Sequence, residues 1–272
     1  GRKQKTTALY DRFVNQGAVM GDSFGLENVL WFANNKEDAH EEPTIKRSRS
    51  HDYVSKEVIN VRENVGLIEV ANFSKHEFKG PDARKFLDHI MAGRLPKPGR
   101  ISLSPMLSYR GKLCGDLTVA CLDENEFMVF GSGAAQEMHR RWFESHLDKF
   151  NLSYSNRSDE YHGLSIAGPN SRKVLEKIVR DDVSNEKFKF RDSRRMFVGG
   201  VPAIINRISF TGELGYEIYV APHYQLKLYE ELMEAGKEFN IKPFGGRALM
   251  SMRLEKNWGA WTLDYRPDFT AK

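Results

Sequence analysis

Two carboxylates stand out by their spacing and company. Asp116 lies in Tyr109-Arg-Gly-Lys-Leu-Cys-Gly-Asp-Leu-Thr-Val119, and Glu217 in Ser209-Phe-Thr-Gly-Glu-Leu-Gly-Tyr-Glu-Ile-Tyr-Val220. In each stretch an aromatic residue, Tyr109 or Phe210, is followed by Xaa-Gly, and the acid comes seven residues past the aromatic. Acids presented to a cavity can carry protons and stabilise positive charge. The alternation after each acid has the period of a strand, with Leu117, Val119 and Cys121 opposite Asp116 and with Tyr216, Ile218 and Val220 opposite Glu217. Both stretches read as hairpins with glycines at the turns. Their shared plan points to a duplicated unit that offers one carboxylate from each copy.

A second repeat supports the duplication. Gly80-Pro-Asp-Ala-Arg-Lys-Phe-Leu-Asp-His-Ile90 matches Gly168-Pro-Asn-Ser-Arg-Lys-Val-Leu-Glu-Lys-Ile178. Proline suits a helix's first turn, where its missing N–H is not needed. Each copy follows a strand and leads to a hairpin and a further amphipathic helix, about 134–150 and 223–239. The order predicts two α+β units, with pseudo-repeats at about 65–150 and 160–240 and helices on one face of each sheet. Asp116 and Glu217 then belong on the open faces, and turning those faces together would bring both acids to one cavity. Upstream, 7–19 has helical spacing, 20–50 reads as an irregular connector anchored by Trp31 and Phe32, and 53–63 is a predicted helix. The stretches 65–70 and 72–79 look like paired strands.

Bulk composition narrows the class. The chain has 272 residues, 40% of them hydrophobic, and a net charge of +4; its mean hydropathy is −0.55. No run approaches the ~20 apolar residues that span a bilayer, and the mild charge lacks the basic stripe of a nucleic-acid binder. The better use of the positive excess is a small anionic ligand. The two cysteines, Cys114 and Cys121, are expected on opposite faces of one strand, unpaired. No dinucleotide or P-loop fingerprint is present, and no nucleophile elbow. His139 and His146 are too far apart along their helix for a two-histidine metal grip, and are expected at or near the surface. Gly131-Ser-Gly133 reads as a strand-to-helix connection. No metal site is expected.

With both hairpins in view, the chain resembles the folate-binding aminomethyltransferase family, the T-protein of glycine cleavage. It is most similar to the copy of that domain fused behind the flavin domain of dimethylglycine and sarcosine dehydrogenases. The residues that carry the likeness are Val65–Leu67, Lys79–Ala83, Arg110–Val119, Gly168–Arg172, Ser209–Val220 and Ser251–Lys256. Leu9–Arg12, Gly17–Val19, Phe24-Gly25 and Trp31–Ala33 resemble the junction between flavin and folate domains.

The resemblance implies an α+β fold of duplicated ferredoxin-like units around a central ligand channel, with the family's C-terminal barrel missing. It implies a junction over 1–50, a folate domain over 51–260, and the start of a connection to the barrel over 261–272. Tetrahydrofolate is the implied cofactor, with FAD only in a domain outside the chain. Asp116 matches the acid beside the folate nitrogens, and Glu217 the acid that takes the pterin's amino and ring N–H. Tyr109, Phe130, Phe210 and Arg253 are the other expected ligand contacts. Phe210 stands where some fused enzymes carry tyrosine, and Leu249 where T-proteins usually carry arginine. The implied activity is aminomethyl or methylene transfer from an amine-derived one-carbon donor, with an intramolecular flavin-domain contact, in the cytoplasm or the mitochondrial matrix. A stand-alone aminomethyltransferase or folate-dependent demethylase, or a non-catalytic folate-binding module, would use the same pocket.

Overall fold

The structure, a computed structural model, describes residues 2–261 and 263–265. In chain order, α1 (Tyr10–Asn15) precedes the strands β1 (Ala18–Ser23) and β2 (Leu26–Phe32), and then comes α2 (Ser50–Glu63). Next are β3 (Val65–Glu69), β4 (Phe73–Lys79), α3 (Ala83–Ile90), β5 (Arg100–Leu107), β6 (Leu113–Asp123), β7 (Glu126–Ser132), α4 (Gln136–Glu144) and β8 (Ser153–Asn156). The remainder comprises β9 (His162–Ala167), α5 (Ser171–Glu176), β10 (Ser193–Val198), β11 (Val201–Asn206), β12 (Gly215–Val220), α6 (Gln225–Gly236), β13 (Ile241–Pro243) and α7 (Gly246–Glu255).

Among the described residues two units result: those up to 71 with 162–190 and 196–258 form one, and 72–161 with 191–195 and those from 259 on form the other. The second holds a five-stranded sheet of order β5-β6-β7-β4-β8. Its elements β4, α3, β6, β7, α4 and β8 make a ferredoxin-like βαββαβ unit, antiparallel throughout, with β5 as an added edge strand. The first holds the order β10-β11-β12-β9-β3-β13. There β9, α5, β11, β12 and α6 repeat the plan, and β3 takes the place beside β9 that β8 takes beside β4.

Each core lies between the helices and one sheet face. In the five-stranded unit Leu117, Val119, Cys121, Phe127 and Val129 pack on Phe86, Leu87 and Phe143. In the six-stranded unit Tyr216, Ile218 and Val220 pack with Val174, Leu175, Leu228 and Leu232. The expected register therefore holds in both strands, with the acids on the faces away from the helices. The Gly-Pro starts also match in detail. Gly80 and Gly168 adopt φ of +136° and +132°, a region in effect closed to other residues. A Cβ on Gly168 would lie 2.5 Å from the Asn64 carbonyl oxygen.

Several expectations are corrected. The 65–70 and 72–79 stretches do not pair, because β3 joins β9 and β13 while β4 joins β7 and β8. The stretch from Met20 is not irregular at its start. Phe24 and Gly25, at φ +53° and +89°, close a two-residue turn between β1 and β2 of the kind that suits hairpin twist. A bulge that places Leu30 of β2 as an extra residue opposite Val19 and Met20 breaks the alternation that would have marked β2. The helix expected over 7–19 is only α1, whose Phe13, with Leu9 just before it, enters the six-stranded unit's core. The helix expected over 134–150 ends at Glu144. Cys114 does not face away from Cys121's side: the ladder slips between Met106 and Leu107, and Cys114 packs against the same core cluster as Cys121. Both remain free thiols.

The histidine expectation also fails for His139, which is fully buried on the inner side of α4, as is His76 on β4. Its Nε2–H donates to the Cys114 carbonyl at 3.0 Å, and His76 Nδ1 is hydrogen-bonded to the Tyr154 hydroxyl at 2.9 Å. Burial holds both imidazoles neutral, that of His76 down to about 3, with His139 adding to the effect. A complementary case sits in the six-stranded unit. The buried Glu57 carboxylate accepts the N–H of Phe32 at 2.7 Å and of Gly245 at 2.9 Å. Burial raises it to about 7 against those two bonds.

Candidate functional site

The Glu217 stretch is not a hairpin on its own. Residues 207–214 form an irregular loop, and β12 pairs with the earlier strand β11 and with β9. Side-chain bonds build that loop. Ser209 and Thr211 hydroxyls lie 2.6 Å apart, and the Glu213 N–H donates to Thr211 Oγ1. Gly212 turns the chain at φ +80°. From α2, Arg62 donates to the Thr211 carbonyl and pairs with Glu213 and Glu255. Phe210 is half-buried within this loop.

The loop delivers Glu217 to the middle of the sheet. Glu217 stands opposite Asn206 on β11 and Ser165 on β9, so a carboxylate, an amide and a hydroxyl form one row across three strands. Glu217 is only 8% exposed. The Tyr219 hydroxyl, on the same face two residues along, donates to Glu217 Oε2 at 2.8 Å. Burial first, and the neighbouring carboxylate second, hold the Tyr219 phenol well above its ordinary range, so it stays a donor. Sequence reasoning missed Tyr219, Asn206 and Ser165. The period of two in Glu217-Ile218-Tyr219 would have found the tyrosine. The other two follow only from strand register.

In the five-stranded unit Asp116 is half-buried on β6 opposite Pro105, on the face away from the helices. Desolvation pushes its carboxyl above the usual range. Phe130, buried on β7, pairs across with Thr118 of β6 and Lys75 of β4, and so shares Asp116's face. Tyr109 goes elsewhere. It is 85% exposed in the β5–β6 loop, with its hydroxyl 2.9 Å from His146 Nε2 and its ring 5.1 Å from that of Trp142. That contact is on the helix side of the sheet. Arg253 is buried on α7 and donates to the Trp258 carbonyl at 2.7 Å, which ties down the chain beyond the helix.

The two acids are not equivalent in the duplication. Aligning Gly80 with Gly168 aligns Glu77 with Ser165, whose ladder partners are Met128 and Glu217. The counterpart of Glu217 is therefore Met128 on β7. Asp116 lies one strand over on β6, whose counterpart is β11. The hairpin that matches the Tyr109 one is β10–β11, turned by Gly199 and Gly200.

Among the described residues no three of His, Cys, Asp and Glu are grouped to hold a metal ion, and no helix is long and apolar enough to cross a membrane.

Comparison with known proteins agrees with this architecture. Mitochondrial dimethylglycine dehydrogenase of Homo sapiens is 34% identical over 97% of this chain and 31% of its own length. Sarcosine oxidase subunit alpha of Rhizobium meliloti is 32% identical over 93% of this chain and 25% of its own. The chain thus spans a third or less of these relatives. Glycine cleavage system aminomethyltransferase T from Bartonella henselae has the same fold, with a TM-score of 0.82 at 23% identity over 98% of this chain and 66% of that one. The model of the GCVT N-terminal domain family matches residues 9–272, and with relatives of this identity over nearly its whole length, the chain belongs to that family.

Proposed function

We propose that this chain is a tetrahydrofolate-binding domain of the aminomethyltransferase type. It takes up the one-carbon unit released when a methylated amine such as sarcosine or dimethylglycine is demethylated. In this reading it is one part of a larger FAD-dependent oxidoreductase of the cytoplasm or mitochondrial matrix, with the flavin outside this chain and the first fifty residues at the junction.

The observation that carries the reading is the buried row of Ser165, Glu217 and Asn206. A reduced pterin presents amino and ring N–H donors along one edge, and a carboxylate flanked by a hydroxyl and an amide, each able to accept or donate, fits that edge. The bound folate would supply the nucleophilic nitrogens that take up the carbon. Glu217 binds and orients the ring. Asp116, with its carboxyl raised by desolvation, is suited to orient the reacting amine, accept its proton and stabilise positive charge nearby. Phe130 offers an apolar surface on Asp116's face. Arg253, engaged with Trp258, is not assigned to the ligand's anionic tail, and Tyr109 is not assigned to the ligand.

The test is calorimetry with tetrahydrofolate on the full natural chain. Glu217→Gln should weaken binding by about 2–4 kcal/mol, the cost of truncating a buried charged hydrogen bond. Asp116→Asn should keep most of the affinity and lose turnover. If wild type binds and Glu217→Gln binds equally well, the folate assignment falls and a scaffold role remains.

A further inference from the structure

We propose that Tyr219 is a positioning residue for Glu217: its hydroxyl holds one carboxylate oxygen and sets the plane that meets the ligand's N–H groups. This rests on the folate reading above. The two side chains leave β12 on the same face, two residues apart, with Tyr219 Oη 2.8 Å from Glu217 Oε2. Tyr219 is completely buried, so water cannot stand in for its hydroxyl. The ring lies over Gly163 of β9, directly opposite in register. A Cβ at Gly163 would come within 2.7 Å of the Tyr219 ring, so the missing side chain is what lets the ring lie there.

The physical consequence is preorganisation. A glutamate has three rotatable side-chain bonds, and ordering them when a ligand arrives weakens binding. Here the strand and the phenol order the group beforehand. The phenol is a reliable donor because burial and the adjacent carboxylate keep it protonated far above neutral pH. A purely structural Tyr219 would need Glu217 only as an acceptor for its buried hydroxyl, and a glutamine serves that need equally well.

A double-mutant cycle separates the two roles. Tetrahydrofolate affinity is measured by calorimetry on the full natural chain for wild type, Tyr219→Phe, Glu217→Gln and the double variant, with thermal midpoints recorded for all four. Tyr219→Phe should bind about tenfold more weakly in the wild-type background, the usual worth of a hydrogen bond to a charged group. In the Glu217→Gln background the tyrosine still has an acceptor but positions an amide that no longer pairs with the ligand's N–H groups as a carboxylate does, so the same change should alter affinity less than about twofold. An equal loss in both backgrounds, or none in the first, overturns the positioning role while the folate reading stands. Absence of binding by a folded wild type overturns both.

Discussion

Two buried groups of opposite kind make the chain's acid response a measurable consequence of its cores. Glu57, raised to about 7, binds its proton more tightly folded than unfolded, so its contribution to stability grows as pH falls from 7 towards 4.5. His76, lowered to about 3, binds its proton more tightly unfolded. Its contribution is intact above 6.5 and is lost as pH falls from there towards 3. Inside its window a group that differs by one bound proton between the folded and unfolded states changes stability by about 1.4 kcal/mol per pH unit, and each unit of difference in pKa is worth about 1.4 kcal/mol in all. Between pH 7 and pH 5 the Glu57 term gains about 2 kcal/mol and the His76 term loses about 2 kcal/mol. The pair should cancel, with His139, also lowered by burial, tipping the balance slightly towards acid loss.

Single substitutions should uncover the two slopes. Glu57→Gln removes the gain and also sets an amide N–H₂ against one of two backbone N–H donors, which costs about 1–3 kcal/mol at any pH. Its stability should drop by a further ~2 kcal/mol between pH 7 and pH 5. His76→Phe keeps a ring among Phe78, Phe143 and Tyr154 and removes the titration, so it should gain about 2 kcal/mol over the same interval. Urea unfolding at the two pH values, followed separately for each transition if the units unfold apart, reads both. Parallel pH responses in the two variants would refute the reasoning, because one of the groups would then not titrate as its burial requires.

Packing and backbone offer two simpler tests. Leu117→Ala and Ile218→Ala each empty a fully buried position facing the helices and should cost about 2–4 kcal/mol in urea unfolding; a loss under 1 kcal/mol would mean those faces are not packed as described. Gly168→Ala forces a side chain into φ +132° and against the Asn64 and Val61 carbonyl oxygens, so it should destabilise by about 2 kcal/mol or more; a neutral result in the same assay would show that this turn relaxes freely.

Much of the fold was readable because period and punctuation agreed. The alternation in 116–121 and 216–220 assigned every side chain to its face, and the Gly-Pro pair located α3 and α5. What failed was pairing and extent. Nothing local tells β3 that its neighbour is β9, nearly a hundred residues on, and not β4 just beyond a turn. Strand partnership is a long-range choice, settled when both faces of a sheet find cover. The bulges at Leu30 on β2 and Cys114 on β6 each insert a residue and reverse the face downstream, which hid β2 and misplaced Cys114.

The site shows a deeper limit of motif reading. Two stretches shared an aromatic, an Xaa-Gly pair and an acid at the same spacing, and the obvious inference was one acid per equivalent position. The folding repeat is marked by Gly80 and Gly168 instead, and it pairs Glu217 with Met128. The positive-φ glycines Gly111 and Gly212 explain the resemblance, since any loop that reverses into a strand favours a glycine there, whichever strand it feeds. Asp116 emerges from the β5–β6 loop and Glu217 from the longer β11–β12 loop. With Met128 in place of a second Glu217, the five-stranded unit cannot offer the same polar row. The duplicated scaffold therefore carries unlike chemistry in its two halves, and the proposed roles divide accordingly: ring recognition on β12, proton handling on β6.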